Sequence, residues 1–387
     1  MSQHGPRGDE PTPHSPLPVP RHRPVPHTEA AAWRRRRRSC WKTPSDEPAH
    51  LVRAALVCKP WRRILHDPGF LRRYREFHRA PPLLGFLHGG GDAYRFLPTA
   101  SATFTPPALA CELWWALDCR HGRVLIHSFG PMGISVWDPV AGVHQILPRP
   151  PIRYGDHNAA VLCASDGCGH LDCHGKPFIV VFVGTPDAAT AAQVSVYTSK
   201  TGAWSTPTSI QLGDSSMVLT IPSTLARGAL YFSLGNCIVG YDLQHGQAMP
   251  VIKLPSCFED MGYTGDAILM VAEDGELGVA SAQGHSIHLW SRRQATSSGV
   301  AEWVQCSVIG PDMLKTIAID DPSTELSVVG FAEGTSTIFI RMNNRIFAFG
   351  LKSRQVRKVA ESGDDFYVVF PYVSFYTPDH ASAKLRM

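Results

Sequence analysis

The chain has 387 residues, 44% of them hydrophobic, which suffices for one large domain with an appendage or for two ordinary domains. The net charge is +4, but residues 1–80 carry 17 basic and 7 acidic residues, so the remainder of the chain is mildly acidic. No apolar run approaches the roughly 20 residues that span a bilayer, and residues 1–20 lack the apolar core of a signal peptide, so we expect no membrane association.

The composition of residues 1–46 predicts a disordered N-terminus. Eight prolines fall within the first 30 residues, and such a composition buries too little apolar surface to offset chain entropy. Five consecutive arginines at 34–38 repel one another and should also be solvated. The run is consistent with a nuclear-import signal, a nucleic-acid contact or a basic tail without a specific partner. We do not expect nucleic-acid binding, because only Trp33 and Trp41 flank the run and no folded aromatic platform accompanies it.

Helical periodicity predicts a short helical segment over residues 47–80. Four apolar residues spaced i, i+3, i+4 and i+7 share one helix face: Leu51, Ala54, Ala55 and Cys58. Pro60 then breaks or restarts the helix. Asp67 followed by Pro68 supplies an N-cap and a first-turn proline for a third helix. The buried side of that helix is predicted from three residues: Phe70, Leu71 and Tyr74.

From residue 81 onward the hydrophobic pattern has period two, with Gly and Pro between runs rich in Val, Ile, Phe, Tyr and Trp. The runs form groups of four, and the third run of each group has a similar shape, as in ISVWDPVAG and VSVYTSKTG. The groups repeat at roughly 50 residues, which is typical of β-propeller blades. Each blade has two apolar faces and must be sandwiched between neighbours. Five groups are predicted over these ranges: 113–147, 159–206, 229–254, 267–309 and 326–360.

A sixth blade is predicted from the two ends of the same domain. The runs 83–87 and 94–97 would join 366–370 and 373–376, which closes the ring and leaves no open edge. The predicted fold is therefore mainly β, with about six four-stranded blades over residues 81–387, and the competing architecture is a pair of β-sandwiches. Six tryptophans are expected to pack between blades: Trp114, Trp115, Trp137, Trp204, Trp290 and Trp303.

The stretch CASDGCGHLDCHGKP concentrates five candidate zinc ligands: Cys163, Cys168, His170, Cys173 and His174. Their spacing does not match the paired C-x₂-C pattern of zinc modules, and the stretch is predicted to be a loop between strands. We therefore expect reduced cysteines and no metal, with zinc binding as the alternative. Since the ten cysteines of the chain show no disulfide framework, we expect the protein in the cytoplasm or the nucleus.

Signals for catalysis are missing from the sequence. It contains no G-x-S-x-G and no H-E-x-x-H motif. The residues around Lys176 do not form a phosphate-binding loop, because the spacing between the two glycines is one residue too long and Pro177 replaces the required Ser or Thr. A propeller enzyme with carboxylates at the central channel is a third alternative, but no convergent set of acids is visible. We expect no enzyme activity and no cofactor.

Residues 51–86, LVRAALVCKPWRRILHDPGFLRRYREFHRAPPLLGF, resemble the second half of an F-box. The likeness lies in the Ala/Val/Cys face, the Trp-Arg-Arg at 61–63 and the Asp-Pro-x-Phe at 67–70. Together with an irregular β-domain, the stretch resembles the F-box proteins of grasses. The resemblance implies that the helices dock onto the Skp1 adaptor and, through it, a cullin of a ubiquitin ligase, while the β-domain binds an unknown target protein.

The resemblance implies adaptor docking or packing within the module for seven residues: Leu51, Ala55, Val57, Cys58, Trp61, Ile64 and Leu65. The chain departs from the family ahead of this stretch, where HTEAAAWRRRRRSCWKT stands in place of a Leu-Pro and an amphipathic first helix. Two other interpretations stay open. The helices are a plain cap on the β-domain, or the protein is a non-catalytic β-propeller interaction protein that has lost adaptor binding because its F-box is truncated.

Overall fold

The computed structural model divides the chain into two units, residues 1–45 and 46–387, and all described residues belong to the second unit. The described residues are 48–90, 93–99, 104–109, 113–129, 132–186, 190–212, 217–235, 237–255, 257–258, 267–294, 301–314, 326–361 and 368–377. The expected disorder of the N-terminus and the arginine run at 34–38 lie outside them. Among the described helices, none has the length and apolar character needed to cross a membrane.

In the described part of the chain, three short helices precede the strands. They are α1 (Pro48–Val57), α2 (Lys59–Leu65) and α3 (Pro68–His78). Cys58 separates α1 from α2 in an extended conformation (φ −159°, ψ 160°), and α2 takes Pro60 into its first turn, where a missing N–H costs nothing. The helix therefore ends at Val57, the predicted apolar face ends at Ala55, and Cys58 is exposed.

The start of α3 follows the sequence prediction. The Asp67 carboxylate accepts a hydrogen bond of 2.8 Å from the Phe70 N–H, which satisfies one of the free donors of the first turn. Phe70 and Leu71 are buried, and the Tyr74 ring lies 5.8 Å from the Phe375 ring at the C-terminal end of the β-domain. The third helix thus packs against the domain that follows it.

Six sheets follow the helices, and we number them as blades. The first hairpin is β1 (Leu83–Gly90) with β2 (Ala93–Pro98). Blade 1 has β3 (Trp114–Arg120), β4 (Arg123–Phe129), β5 (Met132–Asp138) and β6 (Val143–Ile146). Blade 2 has β7 (Asp156–Cys163), β8 (Phe178–Thr185), β9 (Ala191–Thr198), β10 (Ala203–Trp204) and β11 (Thr208–Gln211).

The remaining strands complete the series in chain order. Blade 3 has β12 (Thr224–Ala226), β13 (Ala229–Leu234), β14 (Cys237–Asp242), β15 (Gln247–Ala248) and β16 (Ile252–Lys253). Blade 4 has β17 (Ile268–Val271), β18 (Leu277–Gln283), β19 (Ser286–Gln294) and β20 (Ala301–Ile309). Blade 5 has β21 (Leu326–Ala332), β22 (Thr337–Met342), β23 (Arg345–Gly350) and β24 (Val356–Glu361).

The outermost strands of blades 2 and 3 are each split in two. Both β10 and β11 pair with β9, and both β15 and β16 pair with β14. Pro207 lies between the first two pieces and Pro250 between the second two, and a proline has no N–H to donate to the ladder. These prolines explain why the fourth strand of each of the two blades consists of two short pieces.

Blade 6 combines both ends of the β-domain. Its strand order is β2, β1 and β25 (Val369–Val373), with Phe86 opposite Pro371 in the antiparallel ladder. The prediction of two C-terminal strands is wrong, because residues 374–377 form no strand, while residue 366 lies outside the described part of the chain. Pro371 fits at this place since β25 is the edge of its sheet and one side of its backbone needs no partner.

The hydrophobic core lies between the blades. Each of six clusters joins two blades that are neighbours in the order 1 to 6, and the last cluster returns from blade 6 to blade 1. Phe86 of blade 6 packs on Phe339 of blade 5, whereas Phe370 of blade 6 shares a cluster with Trp114 of blade 1. This circular packing confirms the six-bladed propeller and excludes the pair of sandwiches.

A substitution at Gly330 tests the contact between blades 5 and 6. A Cβ added there would lie 2.5 Å from the Val369 carbonyl oxygen, a backbone atom that cannot move away without shifting β25. We expect Gly330→Ala to lower the free energy of unfolding by about 1–3 kcal/mol, the usual cost of overpacking. Urea denaturation measures the change. Gly310→Ala is the control, because nothing lies within 4 Å of its Cβ position. Equal stability of the two variants would contradict this packing.

Candidate functional site

The helical segment carries an exposed apolar surface at the end of α1. Leu56 and Val57 are each 75% exposed, although both are aliphatic and adjacent. Single exposed apolar residues are common, but a pair of this exposure on a short helix is a candidate contact surface for a partner. Sequence reasoning missed Leu56, because the residue falls off the i, i+3, i+4 face that marked the others. The available signal for a contact surface was an aliphatic residue that does not lie on the packed face of the helix.

The structure divides the seven residues predicted for adaptor docking or packing. Ala55 and Leu65 are buried, so they support the segment itself. Leu51, Trp61 and Ile64 are half-buried, and Val57 and Cys58 are exposed. Of these seven, Val57 together with the half-buried Leu51, Trp61 and Ile64 can offer apolar surface to a partner. Their assignment to adaptor docking stays a prediction.

An ion pair fixes α3 to the propeller. The Arg75 Nη1 lies 2.8 Å from the Asp172 Oδ2, and the Arg75 side chain is only 12% exposed. Asp172 belongs to the segment between β7 and β8 of blade 2, residues 164–177, which we call the cysteine loop. The Asp172 side chain is 41% exposed, so the pair is only partly shielded from solvent and contributes modestly to the position of α3 on the ring.

The cysteine loop and the end of β7 bring four of the five candidate zinc ligands together. One ligand atom from each of Cys163, Cys168, His170 and Cys173 lies within 4.8 Å of the others. The Cys168 and Cys173 sulfurs are 3.8 Å apart, and the His170 Nδ1 lies 3.7 Å from the Cys173 sulfur. His174 is directed elsewhere, since its Nδ1 is 2.6 Å from the Asp138 Oδ2.

The loop owes its shape to backbone turns and to one buried arginine. Gly167, His170 and Gly175 all have positive φ, at 62°, 55° and 68°. The Arg123 Nη2 of blade 1 donates to the carbonyl oxygens of Cys173 and Lys176, which ties the end of the loop to the neighbouring blade. The C-terminal end of the loop is therefore held by blade 1.

His121 supports the cluster from the β3–β4 turn. Its ring stacks on the His170 ring at 4.1 Å and 9°, and its Nδ1 accepts a hydrogen bond of 3.1 Å from the Cys163 N–H. Burial, with the charge of Arg120 as a second cause, lowers the pKa of His121 to about 3. His121 is accordingly neutral at physiological pH and can act as the acceptor.

A cavity of about 360 Å³ opens beside this turn and beside the end of the helical segment, with Arg79, His121 and Glu333 in its lining. Arg120 lies at its base and forms a two-point ion pair with Glu333, with Nη2 2.7 Å from Oε1 and Nε 3.2 Å from Oε2. Arg120 Nη1 also donates to the Asp118 carboxylate at 2.7 Å.

This polar cluster joins four blades. The Asp118 carboxylate accepts from the Val161 N–H of blade 2, Arg120 donates to the Ser223 carbonyl ahead of blade 3, and Glu333 follows β21 of blade 5. Burial raises the pKa of Asp118 to about 6, although the Arg120 charge opposes the shift. The statement that no acids converge was thus wrong. Both carboxylates are bound to one guanidinium, however, and Asp118 is buried, so the arrangement is a structural link.

Blade 1 carries an exposed aromatic patch at its other end. Trp115 is 40% exposed and packs edge-on against Phe129 at 4.7 Å, with Leu113 beside them. The expectation that Trp115 packs between blades is wrong, whereas Trp114 and Trp137 are buried as predicted. The patch lies about 17 Å along β3 from the turn that faces the cysteine loop. It therefore points away from the helical segment.

Comparisons with known proteins agree with this architecture. Residues 115–379 match the model of the family described as F-box protein AT5G49610-like, beta-propeller. The chain is 24% identical over 363 residues to the F-box protein At5g03970 of Arabidopsis thaliana, covering 84% of both chains. It is 27% identical over 164 residues to the putative F-box protein At3g16210 of the same plant, covering 40% of this chain and 41% of the relative.

Among solved structures, a nidogen/laminin complex matches with a TM-score of 0.40 and 11% identity, over 75% of this chain and 98% of the other. Hsv2 of Kluyveromyces lactis matches with a TM-score of 0.36 and 11% identity, over 65% of this chain and 66% of the other.

A substitution at Glu333 tests the polar link that Arg120 forms between blades. Glu333→Ala leaves the buried Arg120 with one carboxylate and leaves the Leu225 N–H without its acceptor. We expect a loss of about 3 kcal/mol, the lower end of the range for a broken buried pair, because Glu333 is partly exposed. Chemical denaturation measures it. Glu276→Ala, which removes the exposed pair with Arg227, serves as the control at less than about 1 kcal/mol. Equal losses would show that the link contributes no more than a surface pair.

Proposed function

Since the family match covers most of its length, the chain belongs to the F-box proteins with an AT5G49610-like β-propeller, and we propose that it is the substrate-recognition subunit of a Skp1–cullin–F-box ubiquitin ligase. F-box proteins generally bind Skp1, and this partner is what we propose for the helical segment. The propeller then holds a target protein near the ubiquitin-charged enzyme. The mechanism is proximity, which raises the effective concentration of the target without any bond being made by side chains of this chain.

The exposed end of α1 supports adaptor docking. Leu56 and Val57 present aliphatic surface that water solvates poorly, and burial of each side chain against a partner would contribute roughly 1.5–3 kcal/mol. Both side chains are exposed in the described part of the chain, in contrast to the buried Ala55 and Leu65. A partner that covers this pair gains affinity without competing with the fold.

The tie between the helices and the ring supports the positioning role. Arg75 and Tyr74 contact Asp172 and Phe375, so the third helix has two separate contacts with the propeller. A target held on the ring would then keep a defined distance from the ligase scaffold. Proximity is effective only when such geometry is fixed.

We place the target contact at the patch of Leu113, Trp115 and Phe129. Exposed aromatic residues dominate the energetics of protein interfaces, and loops at one end of a rigid scaffold are the usual binding sites. The patch faces away from the helical segment, so adaptor and target would not collide. The compartment we propose is the cytoplasm or the nucleus, because the ten scattered cysteines of the sequence show no disulfide framework.

The alternative is a propeller interaction protein that no longer binds the adaptor. It is favoured by the charged sequence HTEAAAWRRRRRSCWKT where the family has an apolar first helix, although that stretch lies outside the described residues. Capture of the full-length protein by a Skp1-type adaptor separates the two functions. If folded protein does not bind, and if placing a Leu-rich helix ahead of Pro48 restores binding, the alternative is correct.

A double variant locates the adaptor surface. We expect Leu56→Lys with Val57→Lys to weaken binding to the adaptor at least about tenfold, because two charges would enter an apolar interface. Calorimetric titration of full-length protein with purified adaptor measures the change. The matched control is Val143→Lys with Ile146→Lys, which alters two comparably exposed residues on β6. Equal affinity of both double variants for the adaptor would exclude the end of α1 as the contact.

A second variant locates the target surface. Trp115→Ser with Phe129→Ser should leave adaptor affinity unchanged and abolish the enrichment of ubiquitinated peptides that depends on the wild-type chain in cells. Quantitative mass spectrometry of ubiquitin remnants measures this loss. An unchanged set of ubiquitinated peptides would move the target surface away from blade 1.

A further inference from the structure

We propose that Cys163, Cys168, His170 and Cys173 bind one zinc ion, and that this ion holds the loop on which the helical segment docks. The proposal concerns a site separate from adaptor and target binding, so it stands or falls independently of the ligase function. It also departs from the sequence expectation of free thiols without metal.

The geometry of the cluster fits a tetrahedral ion. Zinc–sulfur bonds of about 2.3 Å separate two sulfurs by about 3.8 Å, and one sulfur from one nitrogen by about 3.6 Å. The Cys168–Cys173 distance is 3.8 Å, and the distance from the His170 Nδ1 to the Cys173 sulfur is 3.7 Å. Since all four ligand atoms lie within 4.8 Å of one another, binding would draw the widest pair together by about 1 Å at most.

The ligand set is the type that zinc prefers in structural sites. Three thiolates and one imidazole complete four-coordination with protein atoms and leave no position for water or substrate. A disulfide between Cys168 and Cys173 would need a sulfur–sulfur distance of about 2.0 Å, and it would leave Cys163 unpaired. Soft sulfur ligands also exclude calcium and magnesium, which take oxygen ligands.

The surroundings of the cluster compensate the charge of such a site. Three thiolates with one divalent ion carry a net charge of −1, and the Lys176 Nζ lies 3.3 Å from the Cys168 sulfur. The His121 ring stacks on the ligand His170 and accepts the backbone N–H of the ligand Cys163. Groups that orient the ligands in this way are typical of metal sites.

The position of the loop explains what the ion would do. Asp172 lies between the ligands His170 and Cys173, and it forms the ion pair with Arg75 of α3. His174 directly follows the last ligand and bonds to Asp138 of blade 1. The cysteine loop has no helix or strand of its own, so a metal would supply the rigidity that its backbone lacks. The zinc would thereby fix the orientation of the helical segment on the ring.

Metal content of tag-free, full-length protein tests the proposal. We expect about one zinc per chain after gel filtration, and less than ~0.2 in Cys168→Ser and in His170→Ala. Cys306→Ser is the matched control, because Cys306 is a free cysteine outside the cluster, and it should keep the full zinc content. Less than ~0.2 zinc in wild-type protein supplied with zinc during expression would overturn the proposal, as would full retention in both cluster variants.

Cobalt substitution keeps the test decisive if a cluster variant fails to fold. Wild-type protein in which cobalt replaces zinc should show thiolate-to-metal absorption in the near ultraviolet and intense visible bands of tetrahedral geometry. Absence of these bands, or a Cys168–Cys173 disulfide found by mass spectrometry of non-reduced peptides, would overturn the site.

Hydrogen exchange tests the structural role of the ion. Removal of zinc with a chelator should raise the exchange of α3 amides at least about tenfold and leave those of β18 unchanged, because α3 is tied to the loop by Arg75, whereas blade 4 is not a neighbour of the blades that hold the loop. Equal exchange of α3 amides with and without zinc would contradict a role in orienting the helices.

Discussion

Burial of both faces of every sheet is the constraint on which this structure depends. A single blade of four short strands exposes apolar side chains on two sides, and only a neighbour on each side removes them from water. The six clusters between blades satisfy that requirement around a complete circle. The helices, the cysteine loop and the central polar cluster all take their positions from this ring, since each is attached to blade edges or to turns between strands.

Polar interactions add directional contacts to the apolar packing between blades. Hydrophobic contacts are not directional, whereas the Arg120 guanidinium has five donors in fixed directions, and four of its bonds reach carboxylates or a carbonyl from different blades. Such a group specifies how these segments meet.

Much of the fold was predictable because local and global signals agree. The period-two runs and their spacing predicted five of the blades, and the Asp67-Pro68 pair predicted the start of α3. The failures have physical reasons. Pro207 and Pro250 split two strands without changing the hydrophobic pattern, and the end of α1 depended on the extended backbone of Cys58, which periodicity does not encode.

The site was less predictable, because its residues meet only after the chain has folded. Asp118 and Glu333 are far apart in sequence, and no spacing rule connects them. The zinc ligands of our proposal follow C-x₄-C-x-H-x₂-C, a spacing that lacks a paired C-x₂-C motif and therefore does not by itself predict a zinc site. Exposure of Leu56 and Trp115 likewise follows from tertiary packing.

The pairing of β1 with β25 also governs how the protein is made. The hairpin of β1 and β2 is synthesised before the strands of blades 1 to 5, whereas its partner strand β25 follows all of them. Throughout translation the free edge of β1 therefore offers unpaired backbone groups to any other nascent chain nearby. A chain that stops before residue 369 would lack β25 and would leave this edge of blade 6 unpaired.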